Sequence, residues 1–121
     1  MSYGNRSIDD WVDAVHALAR SKGWWNGSLV SEPSADEVIA KIMLVVTELS
    51  EAVERVRDPK FKPNEYFTTK GKPDGFGVEL ADATIRIMDL CGRLGISLET
   101  MIRQKSAYNE TRPNRHGGKR A

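Results

Sequence analysis

Four acidic residues are spaced so that they could act together. Glu48 and Glu51 are three positions apart, and so are Glu79 and Asp82. Residues three apart lie on one side of a helix, with Cβ atoms about 5–6 Å from each other. Each pair can therefore aim two carboxylates at one point, and antiparallel packing of the two helices lets all four converge. On the helical wheel Glu48 is flanked by Leu44, Val45 and Ala52, and Glu79 by Phe76, Ala83 and Leu90. The acids thus border faces expected to be buried. Four carboxylates beside an apolar core are strongly unfavourable without a cation. All-oxygen ligands suit Mg²⁺ or Mn²⁺, not zinc. A divalent ion held by carboxylates on one side takes phosphate oxygens on the other, so the ligand this pattern points to is a di- or triphosphate. The competing reading is a set of solvated salt bridges, with Lys41 and Arg55 placed to pair with Glu48, and Arg86 with Glu79.

A second group of residues is basic. Lys105, Asn109 and Arg112 recur at spacings of four and three, and His116, Gly117, Gly118 and Lys119 follow. Lysine, arginine and an amide are suitable donors to phosphate oxygens, and glycines let backbone amides approach. Lys41 and His116 join the candidates for contact with substrate or phosphate. A frayed basic tail is the plainer alternative. His116 has no Ser or Cys partner motif and forms no hydrolase triad. Trp24 and Trp25 cannot both face one core, so one of them is a candidate for stacking on a nucleobase. Packing in the core or at an interface is the alternative.

The elements that must position these groups read as four helices, with no convincing strand pattern. The first is expected over 8–22, with Ser7 as N-cap, Asp10 complementing the dipole and Gly23 as stop. The second is expected over 35–57, opened by the capping box Ser34-Ala35-Asp36-Glu37 and ended by Asp58-Pro59. Its apolar face is wide, so it is expected to be a central helix with neighbours on more than one side. Residues 58–75 form a long polar connection whose lysines could face an anionic ligand. The third helix is expected over 76–94, ending at Gly95. The fourth follows Ser97 and runs to about Asn109, with Ile96 and Met101 as a hydrophobic staple. Together they predict an all-α four-helix bundle, its wide apolar face covered in a dimer or tetramer.

Composition narrows the classes. A chain of 121 residues is expected to form one domain, burying roughly two-thirds of its unfolded surface. Eighteen Lys and Arg nearly cancel seventeen Asp and Glu, leaving a net charge of +1. A wholesale nucleic-acid-binding surface is therefore not expected. Cys91 stands alone in the apolar run Met88-Asp89-Leu90-Cys91, so it reads as a small core residue. The longest apolar run, Ile42 to Val46, falls far short of the ~20 residues of a membrane span. The first residues lack the apolar core of a signal peptide. A soluble, cytoplasmic protein is the expectation.

The acidic pairs also carry a resemblance. Thr47-Glu48-Leu49-Ser50-Glu51-Ala52-Val53-Glu54, followed by Val78-Glu79-Leu80-Ala81-Asp82, resembles the ExxE…ExxD signature of the MazG-like, all-α nucleoside triphosphate pyrophosphohydrolases. Lys22-Gly23-Trp24-Trp25 resembles the end of the first helix in the small single-domain members, many of them from bacteria and phages. Ile85 to Leu90, Gly95 to Glu99 and Lys105 to Pro113 resemble their C-terminal half, and His116-Gly117-Gly118-Lys119 their HGxK-type ending. The resemblance spans roughly residues 8–120. It implies Mg²⁺-dependent cleavage of a (deoxy)nucleoside triphosphate between the α and β phosphates, giving a monophosphate and pyrophosphate. It also implies homodimers or homotetramers whose sites often borrow residues across the interface. Glu48, Glu51, Glu79 and Asp82 would then hold the metal, with Glu51 or Glu54 orienting the attacking water. Lys105, Asn109, Arg112 and Lys119 would neutralise the leaving pyrophosphate, and Trp24 or Trp25 would contact the base. Many members carry a glutamate where this chain has Thr47, which leaves the water-activating group open. Two other readings stand beside this one: a non-catalytic helical interaction module, and an enzyme like the related phosphoribosyl-ATP pyrophosphohydrolases.

Overall fold

The helices begin where a side chain can satisfy their free amides. In the computed structural model, which describes residues 4–25 and 31–113, α1 (Ile8–Ser21) opens on a reciprocal pair. The Ser7 hydroxyl accepts from the Asp10 amide at 3.1 Å, and the Asp10 carboxylate accepts from the Ser7 amide at 3.2 Å. The expected capping box at Ser34 and Glu37 opens α2 (Ala35–Arg57) with bonds of 3.1 and 3.3 Å. Phe76–Leu94 forms α3, and Leu98–Glu110 forms α4 behind Ser97, whose hydroxyl accepts from the Thr100 amide at 3.2 Å. The four helices fall within a residue of their expected bounds, and the chain is mostly helical.

The end of α1 matters for the site. Gly23 turns into the left-handed region (φ 80°). The Trp24 amide then reaches the Ala19 carbonyl at 3.0 Å, and the Gly23 amide the Arg20 carbonyl at 3.1 Å. This paired closure fixes where the two indoles leave the helix.

The connection after α2 contains strands that the sequence reading did not expect. β1 (Phe67–Thr69) pairs antiparallel with β2 (Lys72–Asp74), Phe67 opposite Asp74 and Thr69 opposite Lys72. Lys70 and Gly71 both have positive φ, 55° and 80°, as two-residue turns that match strand twist require. Arg55 binds Glu65 and lies 5.0 Å from the Phe67 ring centre, which ties the end of α2 to this hairpin. Gly75 leads the hairpin into α3 at φ 127°. A Cβ there would sit 2.6 Å from the Glu65 carbonyl oxygen.

The central helix is α3, which corrects the expectation for α2. It packs on α1 along one flank and on α2 along another, and β2 also rests on it. α2 packs chiefly on α3, and α4 chiefly on α1. Small residues allow the close crossings: Ala19, Ala52, Ala83 and Cys91 are buried, with Val12 and Trp25. Gly92 of α3 lies against His16 of α1, where an added Cβ would come within 2.5 Å of the His16 Cβ. Burial pushes the Cys91 thiol pKa up, in keeping with a core role. At the start of α1, Asp9 accepts from the Ser97 hydroxyl at 2.6 Å and the Glu99 amide at 3.1 Å, anchoring α4. Among the described residues no helix is long and apolar enough to cross a membrane.

Candidate metal centre

The α2–α3 crossing brings the two acidic pairs into one cavity of about 290 Å³. Glu48, Glu51, Glu79 and Asp82 line it, together with Lys72 and Pro73 of β2, Trp24, Ile85 and Arg86. Glu48, Glu51 and Glu79 each offer one oxygen within 4.8 Å of the others. Asp82 shares the cavity one turn further along α3. The convergence follows from the crossing itself, because buried Ala52 and Ala83 let the backbones approach beside the acids.

The electrostatics are those of crowded negative charge. The Glu79 carboxyl is pushed up to about 7 from an ordinary 4.5, first by burial, then by the adjacent Glu51 carboxyl and the charges of Asp82 and Asp74. Burial and the charges of Glu48 and Glu51 also raise Asp82, against the opposing pull of Lys72 and Arg86. Glu79 Oε2 is buried and has no hydrogen-bond partner. A buried, unpartnered carboxylate oxygen facing other carboxylates fits a hard cation with oxygen ligands.

Arg86 corrects one expected pairing. Its Nε donates to Glu48 Oε1 at 2.9 Å, across the helix crossing, and not to Glu79 on its own helix. Lys41 and Arg55 do not reach Glu48 either, since seven residues of helix separate each from it by about 10 Å. Arg55 is taken by Glu65. Lys41, also expected to contact phosphate, donates to the Trp24 carbonyl at 2.7 Å and sits 4.3 Å from the Trp25 ring centre.

The two tryptophans divide as their adjacency requires. Trp25 is buried, and its Nε1 donates to both Asp89 oxygens at 2.9 and 3.0 Å. Trp24 is 41% exposed, lines the acidic cavity and has the Arg86 guanidinium 5.4 Å from its ring centre. Trp24 therefore keeps an exposed surface at the cavity, while Trp25 is packed as core.

Other candidates lie elsewhere. Glu54 is exposed and pairs with Arg57 at 3.1 Å, and it does not line the cavity. Lys105, Asn109 and Arg112 are exposed on α4 and its exit and do not line it either. His116 and Lys119 lie outside the described residues. Pro73 and Ile85 are lining residues that the sequence did not point to; Lys72 belongs to the 58–75 connection whose lysines were expected to be able to face an anionic ligand, and Arg86 was expected only as a salt-bridge partner of Glu79.

No protein-family model, curated protein or solved structure matches the chain.

Proposed function

We propose that the chain is a Mg²⁺-dependent nucleoside triphosphate pyrophosphohydrolase, with the four-helix bundle of the MazG-like all-α enzymes, acting as a homodimer or homotetramer in nucleotide-pool control. The observation that supports this reading is the meeting of Glu48, Glu51 and Glu79 oxygens within 4.8 Å, in a cavity that Asp82 shares. The donor set is all oxygen, and Glu79 Oε2 is buried there without a hydrogen-bond partner. Glu48, Glu51, Glu79 and Asp82 would hold Mg²⁺ or Mn²⁺, which when bound would polarise the phosphate and lower the pKa of the attacking water.

The chain's own groups account for the rest. Arg86 holds Glu48 in place and leaves the other acids to converge. Lys72 and Arg86 put two cations beside the carboxylates, where phosphate oxygens carry negative charge. Glu51, exposed at the cavity, is assigned the proton of the attacking water, in preference to Glu54, which is turned toward Arg57. The exposed face of Trp24 stacks on the base. Lys105, Asn109 and Arg112 act on a cavity only from a neighbouring copy, since they do not line their own.

The test is pyrophosphate release from a panel of deoxy- and ribonucleoside triphosphates with Mg²⁺, with the monophosphate product identified. Glu48→Gln and Asp82→Asn are assayed beside the wild type after circular dichroism shows intact helix content. The expected result is Mg²⁺-dependent monophosphate formation that both variants lose. Equal turnover in wild type and variants, or no turnover of any triphosphate, removes the proposal.

A further inference from the structure

We infer that a second cavity, adjoining the acidic one, receives the base of the nucleotide and favours bases with a ring carbonyl over bases with an exocyclic amine. This cavity has a volume of about 400 Å³, within the ~300–1,000 Å³ of small-molecule sites. Trp11, Val15, Leu18 and Lys22 follow one another at intervals of four, three and four, so one side of α1 and its end form the wall. Trp24 and Ile85 line this cavity and the acidic one alike. A ligand whose phosphates meet the carboxylates therefore has its other end carried past Trp24 and Ile85 onto an apolar surface. The inference rests on the triphosphate reading above for that direction, and it names which triphosphates the cavity takes.

The two cavities are chemically opposite. Four carboxylates line the first, and among the described residues none lines the second. Apart from its indole N–H groups, the polar side chains lining the second are Arg6 and Lys22, and neither can accept a hydrogen bond. The helix α1 spends its backbone carbonyls on its own ladder. The cavity thus offers flat apolar contact and donors, with no side-chain acceptor among the described residues. Trp24 and Leu18 stay 41% and 60% exposed, which leaves that surface open to a ring. Lys22 is exposed and, among the described residues, engaged in no ion pair. A carbonyl at position 6 of a purine or position 4 of a pyrimidine is an acceptor that a lysine can reach. An amine at the same position sets donor against donor and leaves its own N–H groups unpaired. Guanine, hypoxanthine, uracil and thymine fit this chemistry, and adenine and cytosine do not.

The experiment uses the full chain and two pairs of triphosphates that differ at that one ring position. With Mg²⁺, kcat/KM is expected to be about tenfold or more higher for dITP than for dATP, and for dUTP than for dCTP, the scale of one polar group left unpaired. Lys22→Met is expected to erase both ratios. Lys22→Glu, which puts an acceptor where a donor stood, is expected to invert them. Lys22 is exposed, so both variants are expected to keep the wild-type helix content. Without Mg²⁺, the same ranking is read with inosine against adenosine and uridine against cytidine, by quenching of intrinsic fluorescence, because Trp11 and Trp24 both line the cavity. These nucleosides carry no phosphate, so their ranking stands or falls separately from the pyrophosphohydrolase reading. Equal or inverted ratios in the wild type overturn the inference, read on the triphosphates or, if none is cleaved, on the nucleosides. Ratios left unchanged in folded Lys22→Met overturn it as well.

Discussion

Along α3, two acidic neighbourhoods are built in opposite ways. Near its C-terminal half, Asp89 is 3% exposed and surrounded by donors: Trp25 Nε1 on both oxygens, and His16 Nδ1 at 2.8 Å. Near its N-terminus, Glu79 has a buried oxygen with no donor and two other carboxylates within 4.8 Å. A buried carboxylate that accepts every available hydrogen bond is a structural group, and its removal strands its donors. A buried carboxylate that faces its own kind stores repulsion, which a bound cation would relieve. The difference separates the acid that holds α1 to α3 from the acids proposed to form a site.

The largest expected effect tests the second neighbourhood. Glu79→Gln should lower Mg²⁺-dependent turnover on the order of 10²-fold or more, the scale of losing one group that stabilises the transition state. It should leave the urea midpoint of the metal-free protein unchanged or higher. Next, Mg²⁺ at about 100 times its dissociation constant should stabilise the wild type by about 2.7 kcal/mol, read as a shift in thermal midpoint. Glu79→Gln should lose most of that shift. Asp89→Ala should behave in reverse. It should cost about 1–3 kcal/mol in urea unfolding, because the Trp25 indole N–H is left buried without an acceptor, yet it should retain the Mg²⁺-induced shift.

How much of this could be read from the sequence follows from the range of each interaction. Helix ends were legible because caps are local: Ser7, Ser34, Ser97, Gly23 and Gly95 act within a few residues of themselves. The acidic pairs were legible because their spacing is a property of one helix. The partner of Arg86 was not, since Glu48 lies 38 residues away across a helix crossing. The hairpin was missed because three-residue strands are too short to show an alternating pattern, and one of them contains Pro73. The role of α2 was misjudged for a related reason. Its broad apolar face indicated several neighbours, but within one chain α3 takes that central place and α2 keeps an exposed stripe.

The smallest expected effect is a pH dependence. Because the Glu79 carboxyl is raised to about 7 from 4.5, the folded state holds a proton that the unfolded chain has released between those values. The stability contributed by that proton is full below about 4.5 and is lost as pH rises through about 7. Raised Asp82 acts in the same direction. The metal-free protein should therefore lose stability over this window in urea titrations, and Glu79→Gln should flatten the slope.

The most direct measurement is isothermal titration of Mg²⁺ or Mn²⁺ into the metal-free full chain near pH 7, in two buffers of different ionisation enthalpy. The account predicts saturable binding with heats that differ between the buffers, because Glu79 must give up a proton as the cation enters. It also predicts that binding is lost in folded Glu79→Gln. Absence of binding in the wild type, or undiminished binding in both Glu79→Gln and Glu48→Gln, would contradict it.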